Sequence, residues 1–261
     1  MKLRILGSGS RGNAALLWAG ETLVLIDAGL PVRTLSERLL GSRIGHRAID
    51  HVLVSHGHLD HARTAGIIAK RHGAVLHCAA KIHQHRSVAR APDKRDLRIG
   101  VETTLEAKNG GAGPRVATVR VPHDCDPTMA FRIEHEGRVL ALLTDMGEPR
   151  EDVASALAGA HVLVIESNHD VDMLRSGAYP APLKDRVAGP GGHLSNDQMA
   201  IMLTRLAAPE LHTVVLAHLS EKNNRPDLAE TVARDALERL GRSDVRVLLA
   251  TQDTPLDVLD V

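Results

Sequence analysis

Six apolar runs in the sequence end at a residue that can bind a metal ion or transfer a proton. The six residues are Asp27, His56, His123, Asp145, Glu166 and His218. Short apolar runs of this kind are typical of buried strands, and the loops that leave strand ends converge while the sheet holds their bases in place. The pattern therefore predicts a site for metal binding or proton transfer, built from imidazole and carboxylate groups at the edge of a sheet.

The segment HGHLDH at 56–61 is the densest group of such residues. In an extended chain that leaves a strand, alternate side chains point the same way, so His56 and His58 can bind one ion. Asp60 continues this alternation, and His61 turns aside where a helix is expected to begin. Two pairs of ligands for two neighbouring ions are the expected result. The alternative is a polar loop with histidine-rich caps.

Five landmarks, in order along the chain, resemble those of the metallo-β-lactamase fold hydrolases: Asp27 in LIDAG, the HGHLDH segment, His123, Asp145 in TDMG and His218 in LAHLS. Further motifs resemble the YycJ-like (WalJ-like) DNA exonuclease branch of that superfamily. They are GSGSRGN at 7–13, ESNHDVDML at 166–174, GAYP at 177–180, GHLSN at 192–196 and LAHLSEKNN at 216–224. The resemblance covers nearly the whole chain and implies an α/β protein with the metallo-β-lactamase αβ/βα four-layer sandwich, formed by a single domain over residues 1–261.

The same resemblance implies a site for two divalent metal ions, zinc or manganese. Its seven ligands are divided between the ions as follows: His56, His58 and His123 for one, Asp60, His61 and His218 for the other, and Asp145 as a bridge. Mixed imidazole and carboxylate ligands suit both metals, so the ligand types do not separate them. Two divalent ions, two carboxylates and a bridging hydroxide leave a charge of about +1, which attracts a phosphodiester anion.

Two further motifs of this resemblance are not assigned to metal binding. Asp27 resembles the family's structural aspartate, which orients a ligand loop and does not itself bind metal. The glycine-rich loop GSGSRGN at 7–13 has two interpretations: its backbone N–H groups cradle a phosphate, or its glycines allow a close approach between strands.

His193 is a candidate acid that would protonate the leaving sugar oxygen, or a candidate to stabilise a phosphoryl oxygen. It follows a flexible Gly-Pro-Gly-Gly run and precedes Ser195, which forms a capping-box pattern with Gln198. A helix start beside an imidazole makes a phosphate site, and the alternative is a capping histidine on an ordinary loop. Glu166 would orient His193 or tune its pKa, as similar pairs do in related ribonucleases. The candidate catalytic residues are therefore Asp60, Glu166 and His193.

Short β-branched runs alternate with helical patterns along the chain, which is typical of a layered α/β protein. The predicted strands are Lys2–Leu6, Ala14–Ala19, Thr22–Ile26, His51–Ser55, Val75–Cys78, Val116–Val121, Ala130–His135, Arg138–Thr144, His161–Ile165, Thr213–Ala217 and Val245–Ala250. The predicted helices are Val32–Leu40, Ala62–Arg71, Glu148–Leu157, Asn196–Leu206 and Pro226–Leu240. In the last helix, the stripe Leu228, Val232, Ala236 and Leu240 is expected to pack against the core.

Composition excludes several classes of protein. The 261 residues carry 32 basic and 32 acidic side chains, which argues against a globally basic nucleic-acid binder. No apolar stretch approaches the roughly 18 residues of a membrane span, and Cys78 and Cys125 form no paired motif. One Trp, one Tyr and one Phe exclude broad base-stacking platforms. We therefore expect a soluble, cytoplasmic protein that makes no contact with a membrane.

Local basic clusters remain as candidates for binding a polyanion. The segment Lys81–Arg98 carries six basic and two acidic residues, and two further clusters lie near the proposed site in sequence: Arg175, Lys184 and Arg186, then Lys222 and Arg225. A solvated face is the usual explanation of such runs. If they bind a strand, contacts would be mostly to phosphate and sensitive to salt, with Tyr179 either stacking on one base or packing.

The resemblance implies a nuclease that acts on DNA from its 5′ end, in which a hydroxide between the two metal ions attacks phosphorus. RNA is the main alternative substrate. A thioester or lactone hydrolase would use the same metal ligands, and a non-catalytic metal-dependent partner protein is a further alternative; protein partners are not indicated. Asp145 and His218 are 73 positions apart, which is too short for the large inserted domain of the long nucleases in this superfamily.

Overall fold

A computed structural model describes residues 1–42, 48–107, 110–111 and 113–261. The glycine-rich sequence KNGGAGP at 108–114 predicts a loop, and its residues Lys108, Asn109 and Ala112 lie outside the described residues. The chain forms two compact units, of which the first comprises Met1–Thr118, Ile133–Arg138 and Thr251–Val261 and the second Val119–Arg132 and Val139–Ala250. The expectation of one domain over the whole chain stays a prediction.

The described residues form fourteen strands and eight α-helices. In chain order the strands are β1 (Lys2–Gly7), β2 (Ala14–Ala19), β3 (Thr22–Ile26), β4 (His51–Leu53), β5 (Val75–Cys78), β6 (Asp93–Asp96), β7 (Thr103–Thr104), β8 (Arg115–Val121), β9 (Thr128–His135), β10 (Arg138–Leu143), β11 (Val162–Glu166), β12 (Thr213–Ala217), β13 (Arg246–Leu249) and β14 (Leu259–Asp260). The helices are α1 (Val32–Leu40), α2 (Leu59–Ala62), α3 (Ala65–His72), α4 (Glu151–Ala156), α5 (Val171–Ser176), α6 (Ala181–Ala188), α7 (Asn196–Leu206) and α8 (Pro226–Arg239). No helix of this described part is long and apolar enough to cross a membrane.

The first sheet has the strand order β14-β1-β2-β3-β4-β5-β6. The strands from β1 to β3 are antiparallel, with β2 and β3 joined by the two residues Gly20 and Glu21, and those from β3 to β6 are parallel. Ile26, the last residue of β3, is in register with Leu53, the last residue of β4. Since carboxyl ends of parallel strands meet at one edge, Asp27 and the 56–61 segment leave the sheet side by side.

The core of the first unit is aliphatic. Every residue of β3 is buried, as expected for a strand covered on both faces. Helix α1 buries Leu35 and Leu39, which are four residues apart, while Arg33 and Glu37 pair at 2.9 Å on its exposed side. Leu35 and Leu39 belong to the same hydrophobic core as Leu25 of β3, the strand that precedes Asp27.

The second sheet has the order β13-β12-β11-β10-β9-β8-β7, and its strands from β10 to β13 are parallel. Leu143 is in register with Ile165, and Ile165 is in register with Leu216. Strands β11 and β12 are buried along their whole length. The ends of β10, β11 and β12 therefore bring Asp145, Glu166 and His218 to the same edge.

Helix α7 begins as its sequence predicts. The Ser195 side chain accepts from the backbone N–H of Gln198, whose side chain in turn accepts from the backbone N–H of Ser195. Met199, Met202, Leu203 and Leu206 form its buried face. This start is fixed two residues after His193, so the capping box also fixes the end of the loop that carries the candidate acid.

The buried face of α8 differs in part from the expectation, since Ala236 is buried and Val232 packs against the core, but Leu240 does not. Its buried residues are Ala229, Ala233, Ala236 and Leu237, whereas Leu240 is 41% exposed. A step of four residues turns about 40° beyond a full helical turn, so a stripe at that spacing winds away from the core after three steps. The mixed three- and four-residue spacing of small side chains follows the core instead.

Other elements escaped the sequence pattern. The helix expected over 62–71 is two helices, α2 and α3, and the first begins earlier, at Leu59. Helices α5 and α6 were not predicted: α5 is only six residues long and α6 buries no side chain. Strand β6 has the sequence DKRD, which shows no apolar alternation, and β7 and β14 have two residues each. Short or exposed elements leave no hydrophobic periodicity to read.

Candidate metal centre

Three site residues have an unusual backbone. Asp27, Asp145 and His218 have φ angles of 56°, 57° and 54°, and Glu136 in a hairpin is the one other non-glycine residue with positive φ in the described chain. This left-handed region costs an L-residue about 1–3 kcal/mol and is concentrated at functional sites. Each of the three lies one or two residues after the end of a strand, so the left-handed conformation changes the direction of the chain at the point where the strand ends.

In the first unit, the histidines of the 56–61 segment lie close together. His56 is fully buried, and the centroid of its ring lies 4.8 Å from that of His58 and 4.3 Å from that of His61. Asp60 Oδ2 lies 3.7 Å from His61 Nε2. These are separations at which neighbouring imidazole and carboxylate groups can share bound cations.

The expected extended conformation ends before Asp60, which corrects the sequence interpretation. His58 is extended (φ −63°, ψ 148°), and the chain then turns into α2, which contains Asp60 and His61. The backbone N–H groups of His61 and Ala62 donate to the carbonyl oxygen of His58 at 3.1 and 2.9 Å. The helical turn, and not strand alternation, therefore sets the directions of these two side chains.

Asp27 holds this segment through its carboxylate. Oδ1 accepts from the backbone N–H of Ser55 at 2.8 Å, and Oδ2 lies 2.6 Å from Nδ1 of His61. The Ser55 hydroxyl lies 3.0 and 2.9 Å from the two oxygens. A proton on Nδ1 of His61 leaves the lone pair on Nε2, which is the form that binds metal. Asp27 thus has the geometry of a residue that orients a ligand.

The glycine-rich loop GSGSRGN packs against the same segment. Asn13 N–H donates to the carbonyl oxygen of Asp60 at 2.7 Å, and Asn13 Nδ2 lies 3.0 Å from His61 Nε2. Asn13 Oδ1 accepts from the backbone N–H of Gly9 at 2.9 Å. A Cβ atom on Gly29 would lie 1.5 Å from the carbonyl oxygen of Asp60, so only glycine permits this approach. The loop therefore braces the backbone that carries two proposed ligands.

In the second unit, four side chains form one group. Asp145, Glu166, His193 and His218 each offer a possible ligand atom, and these atoms all lie within 4.8 Å of one another. Glu166 has no exposed surface. Its Oε1 lies 2.7 Å from Nδ1 of His193 and 2.9 Å from Nδ1 of His218. One buried carboxylate oxygen thus accepts from both histidines.

The other oxygen of Glu166 is held by the backbone. Oε2 accepts from the N–H groups of Met146 at 3.0 Å and Leu194 at 3.2 Å. Burial alone would raise the pKa of Glu166, but the charge of His193 and the hydrogen bonds from His193 and His218 outweigh it and lower the pKa to about 2. Glu166 is therefore a carboxylate with both oxygens engaged.

Burial lowers the pKa of His193, but the charge and hydrogen bond of Glu166, with Asp145 adding to them, outweigh burial and raise it. Nδ1 of His193 also lies 3.6 Å from Asp145 Oδ1. The side chain of His193 keeps 20% of its surface exposed, in contrast to the fully buried Glu166. His193 is thus held at Nδ1 by a buried carboxylate while part of its side chain stays exposed, and a proton donor to an incoming molecule must be accessible in this way.

His123 joins this group from the end of β8. Its Nδ1 lies 3.0 Å from the carbonyl oxygen of Gly192, and its Nε2 lies 3.7 Å from Asp145 Oδ1. The ring centroids of His123 and His193 are 5.1 Å apart. His123 is therefore fixed beside Asp145 by the loop that carries His193.

Asn168, which the sequence did not indicate, holds the backbone of His218. Its Nδ2 donates to the carbonyl oxygen of His218 at 2.9 Å, and its own carbonyl oxygen accepts from Ser220 N–H at 2.8 Å. Its N–H donates to the carbonyl oxygen of Leu194 at 2.9 Å. Asn168 therefore links the left-handed residue His218 to the loop of His193.

A second buried network connects the same loops. The Ser167 hydroxyl donates to Asn196 Oδ1 at 2.7 Å, Asn196 Nδ2 donates to Asn224 Oδ1 at 3.0 Å, and Asn224 Nδ2 donates to the Ser167 carbonyl oxygen at 2.9 Å. All three side chains are buried. Satisfied polar networks of this kind favour one arrangement of the loops that they join. This network gives a structural role to Ser167, Asn196 and Asn224, which lie in the motifs ESNHDVDML, GHLSN and LAHLSEKNN.

The donor set fits divalent metal ions. Three imidazoles have Nδ1 next to an oxygen acceptor, which places the lone pair on Nε2; the pairs are His61 with Asp27, His123 with the Gly192 carbonyl, and His218 with Glu166. Metal-binding histidines almost always hold their second ring nitrogen in this way. Imidazole and carboxylate donors suit zinc and manganese, and the described residues therefore support binding of divalent metal.

Comparisons with known proteins identify the family of this chain. The family model described as the metallo-beta-lactamase superfamily matches residues 7–218. The chain is 30% identical to exodeoxyribonuclease YycJ of Bacillus anthracis over 239 residues, and the matched region covers 91% of this chain and 89% of the relative. It is 29% identical over 246 residues to exodeoxyribonuclease WalJ of Streptococcus pneumoniae, covering 94% and 90%. Among solved structures, the metallo-beta-lactamase fold protein YhfI from Bacillus subtilis matches with a TM-score of 0.71 and 17% identity over 98% of both chains.

The chain is a metal-dependent hydrolase with the metallo-β-lactamase fold, so the expected fold class is confirmed. It belongs to the metallo-β-lactamase superfamily and, within that superfamily, to the YycJ-like proteins.

Proposed function

We propose that this protein is a DNA exonuclease that removes nucleotides from the 5′ end with two divalent metal ions. The ions would be held by His56, His58 and His123, by Asp60, His61 and His218, and by Asp145 as a bridge. In the first unit, the rings of His56, His58 and His61 lie close together, and in the second unit Asp145 and His218 belong to one group of possible ligand atoms. The proposal extends the superfamily's metal chemistry to a phosphodiester substrate.

The pair formed by Glu166 and His193 is the observation that carries the proposal. His193 Nδ1 lies 2.7 Å from Glu166 Oε1, and the same Glu166 oxygen orients His218, a proposed ligand. An acid fixed to the same carboxylate as a metal ligand stands next to the place where the ion would bind. Hydrolysis of a phosphodiester needs such an acid, because the leaving sugar oxygen must receive a proton.

The side chains have distinct roles in this reaction. Divalent ions, when bound, would neutralise charge on the phosphate and make water nucleophilic at neutral pH. His193 would donate the Nε2 proton to the leaving oxygen as the bond between phosphorus and that oxygen breaks. Glu166 would keep His193 in the orientation for that transfer, and Asp27 would keep His61 in its binding tautomer.

The substrate class is inferred from relatives. Two of them, at 30% and 29% identity over most of both chains, are named exodeoxyribonucleases. DNA is therefore the substrate we propose, and the 5′-to-3′ direction follows from the resemblance to that branch. A DNA substrate also favours the cytoplasm as the compartment.

The test is a substrate panel with protein purified in the presence of manganese or zinc. DNA labelled at either end, with and without a 5′-phosphate, is offered beside the same sequence in RNA and a set of thioesters and lactones. We expect release of mononucleotides from the 5′ end of DNA and loss of that activity with a chelator. Rapid thioester turnover without cleavage of nucleic acid would overturn the proposal, and preferred cleavage of RNA would replace DNA as the substrate.

A further inference from the structure

Tyr179 and Lys222, in the second unit, form an exposed pair that the metal chemistry does not use. Lys222 Nζ lies 5.7 Å from the centroid of the Tyr179 ring. Lys222 is exposed and Tyr179, the one tyrosine of the chain, is partly exposed. An aromatic ring beside a cation at the surface offers a stacking face and a phosphate contact within one small area.

The pair is held in place by buried contacts near the site. The N–H of Asp170 donates to the carbonyl oxygen of Asn223 at 2.8 Å, which ties the start of α5 to the residue after Lys222. A Cβ atom on Gly177 would lie 2.8 Å from Asn223 Oδ1, so the turn before Tyr179 packs against the same residue. Lys222 itself follows His218 by four positions. The chain next to both members of the pair is therefore packed against Asn223, which follows a proposed metal ligand by five positions.

The cations of this surface are not neutralised. Lys184 Nζ donates to the carbonyl oxygen of Arg175 at 2.7 Å, and no carboxylate pairs with Arg175, Lys184 or Lys222 among the described residues. By contrast, the nearby Arg186 pairs with Asp124, and Arg225 pairs with Asp227. Three positive charges thus remain available to an anion beside the tyrosine.

Helix α6 connects this surface to the candidate acid. It has eight residues, none of them buried, and the N–H of His193 donates to the carbonyl oxygen of Val187 in its last turn at 2.9 Å. A helix of that length rises about 12 Å, which corresponds to a few nucleotides. A strand that has its scissile phosphate at His193 and runs along α6 would reach the Tyr179 end of the helix after a few nucleotides.

We infer that Arg175, Tyr179, Lys184 and Lys222, here called the Tyr179 surface, bind the single-stranded part of the substrate a few nucleotides from the scissile bond. The inference rests on the proposed nuclease function and adds that part of the bound substrate is single-stranded. A paired base is stacked inside its duplex, whereas an unpaired base can expose its face to Tyr179. The basic segment Lys81–Arg98 is the competing surface, and it contains ion pairs of its own between Arg95 and Asp93 and between Arg98 and Asp96.

The test compares Tyr179→Ala, Tyr179→Phe and Lys222→Ala with wild type on a single-stranded oligonucleotide and on a dinucleotide. Stacking on an aromatic ring is worth about 1–3 kcal/mol per base, so Tyr179→Ala is expected to raise KM for the oligonucleotide by at least about fivefold, with the loss in KM and not in kcat. Tyr179→Phe keeps the stacking face and should restore KM. Lys222→Ala should weaken binding and make KM less dependent on salt. Arg90→Ala, at an exposed position of the competing segment, is the matched control.

The outcomes separate this inference from the proposed function. If the ratio of kcat/KM for the oligonucleotide to that for the dinucleotide falls in Tyr179→Ala and Lys222→Ala but not in Arg90→Ala, the inference holds. If wild type degrades DNA and Tyr179→Ala shows the wild-type KM, or if Arg90→Ala alone raises it, the Tyr179 surface is wrong while the nuclease function stands. Absence of nucleic-acid cleavage by wild type would overturn both.

Discussion

His193 Nδ1 lies 2.7 Å from Glu166 Oε1. The same oxygen lies 2.9 Å from Nδ1 of His218, so one buried carboxylate orients both the proposed acid and a proposed metal ligand. This sharing predicts that substitutions of Glu166 and of His193 have different consequences. Loss of the acid removes one function, whereas loss of the carboxylate removes two.

His193→Ala is expected to retain both metal ions and to lower kcat by about 10²–10⁴-fold, the usual contribution of a general acid. The reason is that His193 would move a proton and not bind metal. Metal per chain, from elemental analysis, and kcat on DNA are the two measurements. Loss of metal from this variant would show that His193 is a ligand.

Glu166→Gln is expected to lower both kcat and metal affinity, the latter by about 10–100-fold. Glutamine has one acceptor oxygen, but Glu166 accepts from two imidazoles on Oε1 and from two backbone N–H groups on Oε2. Titration with a competing chelator measures the affinity, and His193→Ala serves as the control with normal affinity. A Glu166→Gln protein that binds metal as wild type does would contradict the shared role.

Asn168→Ala is expected to lower the free energy of unfolding by about 1–3 kcal/mol, since the buried carbonyl of His218 loses its side-chain donor. Because the left-handed backbone of His218 also loses a restraint, metal affinity should fall as well. Denaturant unfolding and the chelator titration measure the two effects. Thr118→Val, which removes a hydrogen bond to the carbonyl oxygen of Arg98 at 3.1 Å, should lower stability alone. Equal metal affinities for Asn168→Ala and Thr118→Val would contradict the assignment of Asn168 as a residue that positions His218.

Stability should fall in acid because of His77. Burial, with smaller contributions from His51 and Arg95, lowers the pKa of His77 from 6.5 to about 3. His77 Nε2 lies 3.0 Å from His51 Nδ1, and His77 Nδ1 has no partner among the described side and main chains, so a second ring proton would be buried without an acceptor.

In the unfolded chain His77 binds a second ring proton below about pH 6.5, whereas in the folded chain it binds this proton only below about pH 3. As the pH is lowered from about 6.5 to about 3, the free energy of unfolding therefore decreases by up to about 1.4 kcal/mol per pH unit. Denaturant unfolding over a pH series measures the slope. His77→Gln keeps a donor toward His51 and should flatten the curve relative to wild type; a slope identical in both proteins would contradict the assignment.

Much of the candidate site is predictable from sequence because it combines residue type with position. A histidine or carboxylate directly after an apolar run is visible without coordinates, which is how Asp145, Glu166 and His218 were found. The residues that hold the side chains and backbone of the candidate site in place are not visible in this way. Ser55 and Asn168 are single polar residues with no spacing of their own, and they act through tertiary hydrogen bonds.

The backbone conformation of the site residues is also not predictable from the sequence. Nothing in the sequence indicates that Asp27 or His218 adopts positive φ, since glycine is the usual signal for that region. The turn into α2 before Asp60 was likewise missed, because a helix of four residues shows no periodicity. The strands were predicted well where they are buried and apolar, as in β3 and β12.

The number of divalent ions bound per chain tests the central claim most directly. Metal-saturated protein, freed of excess ion and measured by elemental analysis, is expected to hold two equivalents, and Asp145→Ala, which lacks the proposed bridge, is expected to hold fewer. A wild-type protein that holds no zinc or manganese, or an Asp145→Ala protein that holds the same two, would contradict the account.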